Sequence, residues 1–176
     1  RLGEPAVITL YGPNRLPGWV DKLPLAERFE YVGKGPFDLS VLSFTDDVPE
    51  QSLHEQSLMR CESAAGPVVC SSRERAMLEL CEEVSDASGV YEADALMQGL
   101  TTLRPQRVTK LLQHCHSVKT KRLFLALAER HGHAWLSHLS LKDVSLGRGK
   151  RSLVAGGRLH PVYQITLPGD LDAQLG

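Results

Sequence analysis

The chain has 176 residues, a formal net charge of −1, and a composition that is 42% hydrophobic and 23% charged. This length and apolar content can bury the core of one domain or of two small ones. No apolar run approaches the roughly 20 residues of a membrane-spanning helix, and no signal peptide is recognisable, so we expect neither membrane insertion nor secretion. The chain begins at Arg1 rather than Met, and we therefore expect a piece of a longer protein.

The first part of the chain is rich in strand-forming residues. Short runs that alternate or are rich in β-branched and aromatic residues predict five strands, at 6–11, 28–33, 38–44, 57–63 and 67–71. Gly12-Pro13-Asn14 predicts a turn after the first strand, and Gly66 predicts the turn between the last two. The polar, acidic stretch 45–56 predicts a loop.

From residue 71 the apolar period changes from that of a strand to that of a helix. Ser71 and Glu74 have the spacing of a capping box, and the apolar residues after them predict a helix over 73–84. A second helix is predicted around Ala93–Leu100. Pro105 at a first-turn position begins a third, and Ser117 caps a fourth that ends near Gly132.

The last part of the chain returns to strands at 151–156 and 162–167, with Gly156-Gly157 as a hairpin or bulge signal between them. The predicted fold class is therefore α+β. It has mainly antiparallel N-terminal strands, a helical middle of about four helices, and a C-terminal β-hairpin that returns to the sheet. We predict one domain over 1–176, with a subdivision into a β-rich part, 1–70, and a second part, 71–176, as the alternative.

The charge is distributed unevenly along the chain. Residues 104–160 contain twelve Lys or Arg and only the acids Glu129 and Asp143, which gives +10, while the remainder has eight bases and nineteen acids, which gives −11. An asymmetry of this size indicates that the basic part faces a polyanion or an acidic partner. A solvated surface is the alternative.

The stretch SLGRGKRSLVAGGRL at 145–159 contains four glycines and four cations. A Walker A loop would need Gly and a hydroxyl where Val144 and Arg151 stand, and the dinucleotide pattern fails at Ser152. Glycine-rich backbone and cations can both meet phosphate, so we predict a nucleic-acid backbone contact instead. The residues predicted to make it are Lys119, Arg122, Arg148, Lys150, Arg151 and Arg158.

No cofactor, metal site or catalytic residue is predicted. The four cysteines show no C-x-x-C pattern, and each lies in an apolar pattern, which favours reduced thiols in a cytoplasmic protein. His114 and His116, like His131 and His133, are two residues apart and cannot share one face of a helix. None of the acids stands in an E-x-K or D-x-K arrangement of the kind that restriction-type nucleases use, and G-x-S-x-G does not occur.

Three segments, in this order, carry a family resemblance: SSRERAMLEL at 71–80, GLTTLRPQRVTKLLQHCHSVKTKRLFLALAERHGHAWL at 99–136, and LGRGKRSLVAGGRLHPVYQITLP at 146–168. Together they resemble the C-terminal domain of AbiEi-family antitoxins, the transcriptional regulators of type IV (abortive infection) toxin–antitoxin systems. The N-terminal segment YGPNRLPGWVDKLP, at 11–24, is similar to the family more loosely, so the resemblance covers nearly the whole chain.

The resemblance implies a cytoplasmic phage-defence protein whose partners are DNA and a nucleotidyltransferase-like toxin, AbiEii. Family members read operator DNA with an N-terminal winged helix-turn-helix, which this chain lacks, so operator reading does not carry over to these residues. The C-terminal domain is implied to neutralise the toxin, without a requirement for direct contact, and to assist DNA binding through a basic face. Two alternatives remain, a non-catalytic DNA-binding regulator without a toxin partner and a nucleic-acid-processing enzyme.

Overall fold

The structure is a computed structural model that describes residues 7–12, 17–38, 50–63 and 66–171. The backbone divides into two compact units, Arg1–Asp46 and Asp47–Gly176. The domain boundaries expected from the sequence stay predictions.

The first unit contains a pair of parallel strands. β1 (Val7–Tyr11) lies beside β2 (Arg28–Val32), with Val7 opposite Arg28. A short 3-10 helix, Val20–Lys22, lies within the crossover that parallel pairing requires. Both strands are confirmed in position, and their direction is parallel. The predicted turn at Pro13-Asn14 and residues 39–44 of the predicted third strand lie outside the described residues, and Asp38 is not in a strand.

The second unit begins with a helix and a hairpin. The helix is α1 (Glu50–Glu55), and the hairpin pairs β3 (Leu58–Ser63) with β4 (Gly66–Ser71) antiparallel. The hairpin is confirmed, and Gly66 supplies the turn with a positive φ of 114° that favours glycine. The loop predicted for 45–56 is wrong over Glu50–Glu55, because polar side chains can stabilise a solvated helix through i,i+4 pairs such as Gln51 Nε2 to Glu55 Oε1 (3.2 Å). Residues 45–49 lie outside the described residues.

Four further helices form the middle of the chain, as predicted. They are α2 (Arg73–Glu83), α3 (Ala87–Gln98), α4 (Pro105–His114) and α5 (Val118–Arg130). Pro105 stands at the start of α4, and the Ser117 hydroxyl caps α5 by accepting from the backbone N–H of Thr120. The cap of α2 is one residue later than predicted. Ser72 accepts from the Arg75 N–H, while the Ser71 hydroxyl donates to Glu79 (2.7 Å).

The core forms where α5 packs against α2 and α3. Nine consecutive residues of α5, 120–128, are buried, and Phe124 is fully enclosed together with Leu78 of α2 and Met97 of α3. Phe124 also packs against Trp135, in a 3-10 helix at Ala134–His138, with ring centroids 5.9 Å apart. A helix that is buried on nearly every side must bury its charged residues too, which gives α5 its part in the site.

The C-terminal hairpin is shorter than predicted. It pairs β5 (Arg158–Leu159) with β6 (Thr166–Leu167) antiparallel, and Arg151 adds one isolated parallel bridge to Ile165. The strand predicted at 151–156 is wrong beyond this bridge. The N–H groups of the next apolar residues, 153 and 154, donate to the Thr166 hydroxyl instead of to a strand backbone.

The fold class is α+β, with strands first, helices in the middle and a hairpin at the end. Within the described residues, β5 and β6 pair with each other and form a sheet of their own. In that part of the chain, none of the helices combines the length and the apolar character needed to cross a membrane.

Candidate nucleic-acid interface

The glycine-rich loop is held from below by a buried arginine. Arg122 of α5 is only 4% exposed, and its guanidinium donates four hydrogen bonds to backbone carbonyls. Nε donates to Leu146 O at 2.8 Å, and Nη2 donates to Gly147 O at 3.2 Å. Nη1 donates to two carbonyls, Gly149 O at 2.5 Å and Gln164 O at 3.0 Å. A guanidinium has five N–H donors in a rigid fork, so this network uses most of its capacity and fixes the loop.

Two glycines give the loop the path that lets its carbonyls converge on Arg122. Gly147 and Gly149 have φ values of 66° and 74°, in the left-handed region that favours glycine. Gly147 also lies against the first turn of α5, where a Cβ would stand 2.9 Å from Cγ2 of Val118. A Cβ on Gly149 would meet nothing within 4 Å. The first glycine is thus required for packing as well as for backbone shape.

The side chains between and after these glycines point outward. Arg148, Lys150 and Arg151 are exposed, and none of them makes an ion pair with any part of the chain that the structure describes. The backbone of Arg151 is anchored, since its N–H donates to Gln164 O and its carbonyl accepts from the Thr166 N–H, both at 2.9 Å. Three exposed cationic side chains therefore extend from a loop whose backbone is anchored by hydrogen bonds.

The other two predicted residues lie elsewhere. Lys119 is half-buried, and its ammonium donates to the carbonyls of Glu82 and Val84 (3.0 Å for the latter) at the C-terminal end of α2. A cation at this position interacts favourably with the helix dipole. Arg158 is exposed on β5, on the opposite side of β6 from Arg151.

The structure thus places Arg122 of α5 against the loop that carries Arg148, Lys150 and Arg151. It commits Arg122 and Lys119 to backbone carbonyls of the protein itself. Burial, and after it the positive charge of Arg151, lower the pKa of the Arg122 guanidinium. Contact of the six predicted residues with nucleic acid stays a prediction.

A second group of cations, which the sequence-based prediction left out, lies at the start of α4. Arg104, Arg107 and Lys110 line a surface cavity of about 170 Å³, together with Glu55, Ser57 and Gln106. Arg107 pairs with Glu74 of α2 at 3.7 Å, and the same carboxylate accepts from the backbone N–H of Arg104 (3.1 Å). The i, i+3, i+6 spacing of the three cations was a signal from which this cluster could have been predicted.

His131 and His133, which stand two residues apart, both make contacts within the protein. His131 Nε2 lies 2.8 Å from Oδ1 of Asp94, and His133 Nε2 lies 2.8 Å from the carbonyl of Met97. His133 is buried and stacks on Trp135 at 5.5 Å between ring centroids. In the described ranges, no three His, Cys, Asp or Glu side chains are grouped so that they could hold a metal ion.

Comparison with protein families gives one result that covers nearly the whole chain. A family model described as "Transcriptional regulator, AbiEi antitoxin, Type IV TA system" matches residues 5–168. This range includes every residue of the loop and of the α4 cluster. Comparison with curated proteins and with solved structures finds no match.

Proposed function

Since this chain belongs to the AbiEi antitoxin family of transcriptional regulators in type IV toxin–antitoxin systems, we propose that its glycine-rich loop contacts the DNA backbone. The protein acts without catalysis of its own. In the same proposal it counteracts a nucleotidyltransferase-like toxin of the AbiEii type, without a requirement for direct contact between the two proteins.

The observation that carries the DNA contact is the fixed backbone beneath Arg148, Lys150 and Arg151. Arg122 and the two glycines hold the loop in one conformation before any ligand arrives. A preorganised loop loses less conformational entropy when it binds, and cations that bind phosphate oxygens position a protein on DNA without reading its sequence. Such a loop supports the backbone contact and leaves base recognition to another part of the regulator.

The electrostatics of the loop favour an anionic partner. The partners of Arg122 are neutral carbonyls, so its positive charge is not cancelled by an acid in its hydrogen-bond network. Arg151 adds a second positive charge nearby. A phosphate placed over the loop would relieve the repulsion between these two cations.

Titration of duplex DNA against the protein tests this proposal. We expect sequence-independent binding in the range of about 10⁻⁴ to 10⁻⁶ M at physiological salt. Replacing Arg148, Lys150 and Arg151 together by Ser removes up to three phosphate contacts. The slope of log K against log salt should then become shallower by about two to three, because each contact contributes about −0.9.

A matched control removes three exposed cations from the other unit, Lys22, Arg28 and Lys34. This K22S/R28S/K34S variant has the same net charge as the loop variant, and we expect a salt slope close to that of the wild type. Equal effects of the two triple variants would show a diffuse charge effect and would refute a contact at the loop.

The non-catalytic part of the proposal is tested with DNA and RNA substrates in the presence of Mg²⁺ or Mn²⁺. We expect no cleavage and no nucleotidyl transfer. Metal-dependent activity that is lost on replacing a single carboxylate would overturn this part and would leave the DNA-contact proposal standing.

A further inference from the structure

The cavity of about 170 Å³ at the start of α4 shares no residue with the glycine-rich loop. Its lining comes from the last residue of α1, the residue before β3, and four residues at the start of α4. At about 30 Å³ per water molecule, this volume holds roughly five or six waters. Pockets for whole small-molecule ligands are larger, about 300–1,000 Å³. The cavity therefore fits one small polar group and not an entire nucleotide.

Three cations dominate the lining. Arg104, Arg107 and Lys110 follow one another at a spacing of three, which makes side chains neighbours along a helix. Arg104 and Lys110 are exposed, and none of the ion pairs or hydrogen bonds among the described residues engages their side chains. Arg107 lies 3.7 Å from Glu74, beyond the 2.7–2.9 Å typical of a charge-assisted hydrogen bond, so its guanidinium keeps donors for a ligand.

The charge of the lining matches a doubly charged anion. Glu55 is the acid among the lining residues, and its carboxylate accepts from Gln51 Nε2 (3.2 Å) and forms no ion pair with the described cations. Three cations and one carboxylate give the lining a net charge of +2. A phosphate monoester carries about −1.5 to −2 at pH 7, whereas each phosphodiester of a nucleic acid carries one negative charge. The lining thus complements a monoester better than a diester.

Ser57 adds a hydroxyl to the lining. It is 2% exposed, and its φ of 58° lies in the left-handed region, which is uncommon for residues other than glycine. Its carbonyl accepts from the Ser72 N–H (2.9 Å), but none of the hydrogen bonds among the described residues uses its hydroxyl. In the same residues, no fully enclosed side-chain oxygen lacks a partner, so the small exposed part of Ser57 includes this hydroxyl. An oxyanion in the cavity would accept a hydrogen bond from it.

We propose that this cavity is a binding site for the dianionic phosphate group of a phosphate monoester or of inorganic phosphate. The two guanidinium groups suit phosphate oxygens, and Lys110 adds a point charge. The site consists of side chains and not of the helix start, because the Arg104 N–H already donates to Glu74 (3.1 Å). A cavity of this size accepts a group at the end of a molecule, whereas a phosphodiester has a sugar on each side. The proposal does not depend on a DNA contact at the glycine-rich loop.

The test titrates the full, isotope-labelled chain with sodium phosphate at constant ionic strength and follows its backbone amides by NMR. We expect saturable shifts at Ser57 and Gln106, which line the cavity. K110Q should weaken phosphate binding roughly tenfold, because it removes a charge-assisted hydrogen bond. E55Q should strengthen it about threefold, because it removes a like charge beside the phosphate. S57A should weaken it several-fold.

K142Q is the matched control for K110Q, since Lys142 is an exposed lysine outside the cavity. It should bind phosphate like the wild type, and so should the R148S/K150S/R151S variant, which separates this site from the loop. Circular dichroism checks that every variant folds. Equal weakening by K110Q and K142Q, weaker binding by folded E55Q, or loss of binding in the loop variant would each overturn the proposal.

Two DNA duplexes of one sequence identify the source of the phosphate, one with 5′-phosphate ends and the other with 5′-hydroxyl ends. Shifts at the cavity amides with the phosphorylated duplex alone would identify a terminal phosphate as the ligand. Shifts with inorganic phosphate and with neither duplex would identify free phosphate. Equal shifts with both duplexes would mean that the cavity binds the phosphodiester backbone, and this result, like an absence of shifts with inorganic phosphate, would overturn the proposal.

Discussion

Replacing Arg122 by Lys separates the charge of this side chain from its geometry. The ammonium keeps the positive charge, but its three donors radiate from one nitrogen, whereas the guanidinium reaches four carbonyls from three nitrogens. If Arg122 acts by fixing the loop, the R122K variant should lose loop order while keeping every exposed cation. Arg148→Lys is the matched control, since the same substitution is made where the side chain is exposed.

The magnitude follows from the acceptors that are left without a donor. Gly147 and Gly149 are exposed, so water can replace Arg122 at their carbonyls, whereas Leu146 and Gln164 are half-buried. A buried acceptor without a partner costs about 1–3 kcal/mol. We therefore expect R122K to lower the free energy of unfolding by about 2 kcal/mol, and R148K to change it by less than about 0.5 kcal/mol.

The R122K variant should bind DNA more weakly although it keeps every predicted phosphate contact. A loosened loop must be ordered when it binds, at about 1–2 kcal/mol per residue, so we expect R122K to bind roughly tenfold more weakly than the wild type. Its salt slope should be unchanged, because the cations that meet phosphate are still present. Urea denaturation and DNA titration at several salt concentrations measure both quantities. A slope that becomes shallower by about one in R122K would mean that a phosphate contact is lost together with the order of the loop, and equal destabilisation by R148K would refute the positioning role.

Three further predictions test the packing and the biological role. Gly147→Ala should lower the free energy of unfolding, measured by urea denaturation, by about 2–4 kcal/mol, because strain at positive φ adds to the close contact with Val118. Gly149→Ala should lower it by only about 1–2 kcal/mol, because strain acts there alone. Equal losses in the two variants would contradict this packing. Burial tends to raise the pKa of Glu74, but hydrogen bonds, first that of the Arg104 N–H, outweigh it and lower the pKa below its usual 4.5. The stabilisation by ionised Glu74 is therefore present above pH 4.5 and lost as the pH falls through the lowered pKa. The E74Q variant should consequently lose less unfolding free energy than the wild type when the pH is lowered. An unchanged dependence of stability on acid pH would count against this role. Expressed alone, this chain should restore growth to cells that produce a cognate nucleotidyltransferase toxin, and continued arrest with soluble protein present would contradict the antitoxin assignment.

The helical part of the fold could be predicted because each helix carries its own local signals. Pro105 and Ser117 mark helix starts through backbone chemistry that depends only on neighbouring residues. The cap of α2 lies one residue later than the Ser71–Glu74 spacing predicts, because Glu74 accepts from the backbone N–H of Arg104. Glu79, eight residues after Ser71, accepts a hydrogen bond from the Ser71 hydroxyl, and Ser72 is the cap.

The sequence marks the loop of the candidate site, whose contact with nucleic acid stays a prediction, but it does not mark the residue that holds this loop. Four glycines and four cations in fifteen residues mark the loop, and exposed Arg148, Lys150 and Arg151 agree with that pattern. The role of Arg122 was hidden because its acceptors are backbone carbonyls 24 to 42 residues further along the chain. Backbone carbonyls have no sequence signature, so a charge on an apolar helix is easily interpreted as part of a solvated edge.

A count of charges over residues 104–160 therefore predicts the electrostatic field of this basic segment better than it predicts the contacts of its side chains. Arg107 and Arg130 pair with acids outside the segment, and those acids cancel part of its excess charge at close range. Arg122 is different, because carbonyl dipoles stabilise its guanidinium without cancelling its unit charge. At physiological ionic strength a charge acts over about 8 Å before screening, and a buried charge is screened less than an exposed one. The buried guanidinium beneath the loop can thus attract phosphate to Arg148 and Lys150 without touching it, and for this reason R122K, which keeps that charge, is the substitution that isolates its geometric role.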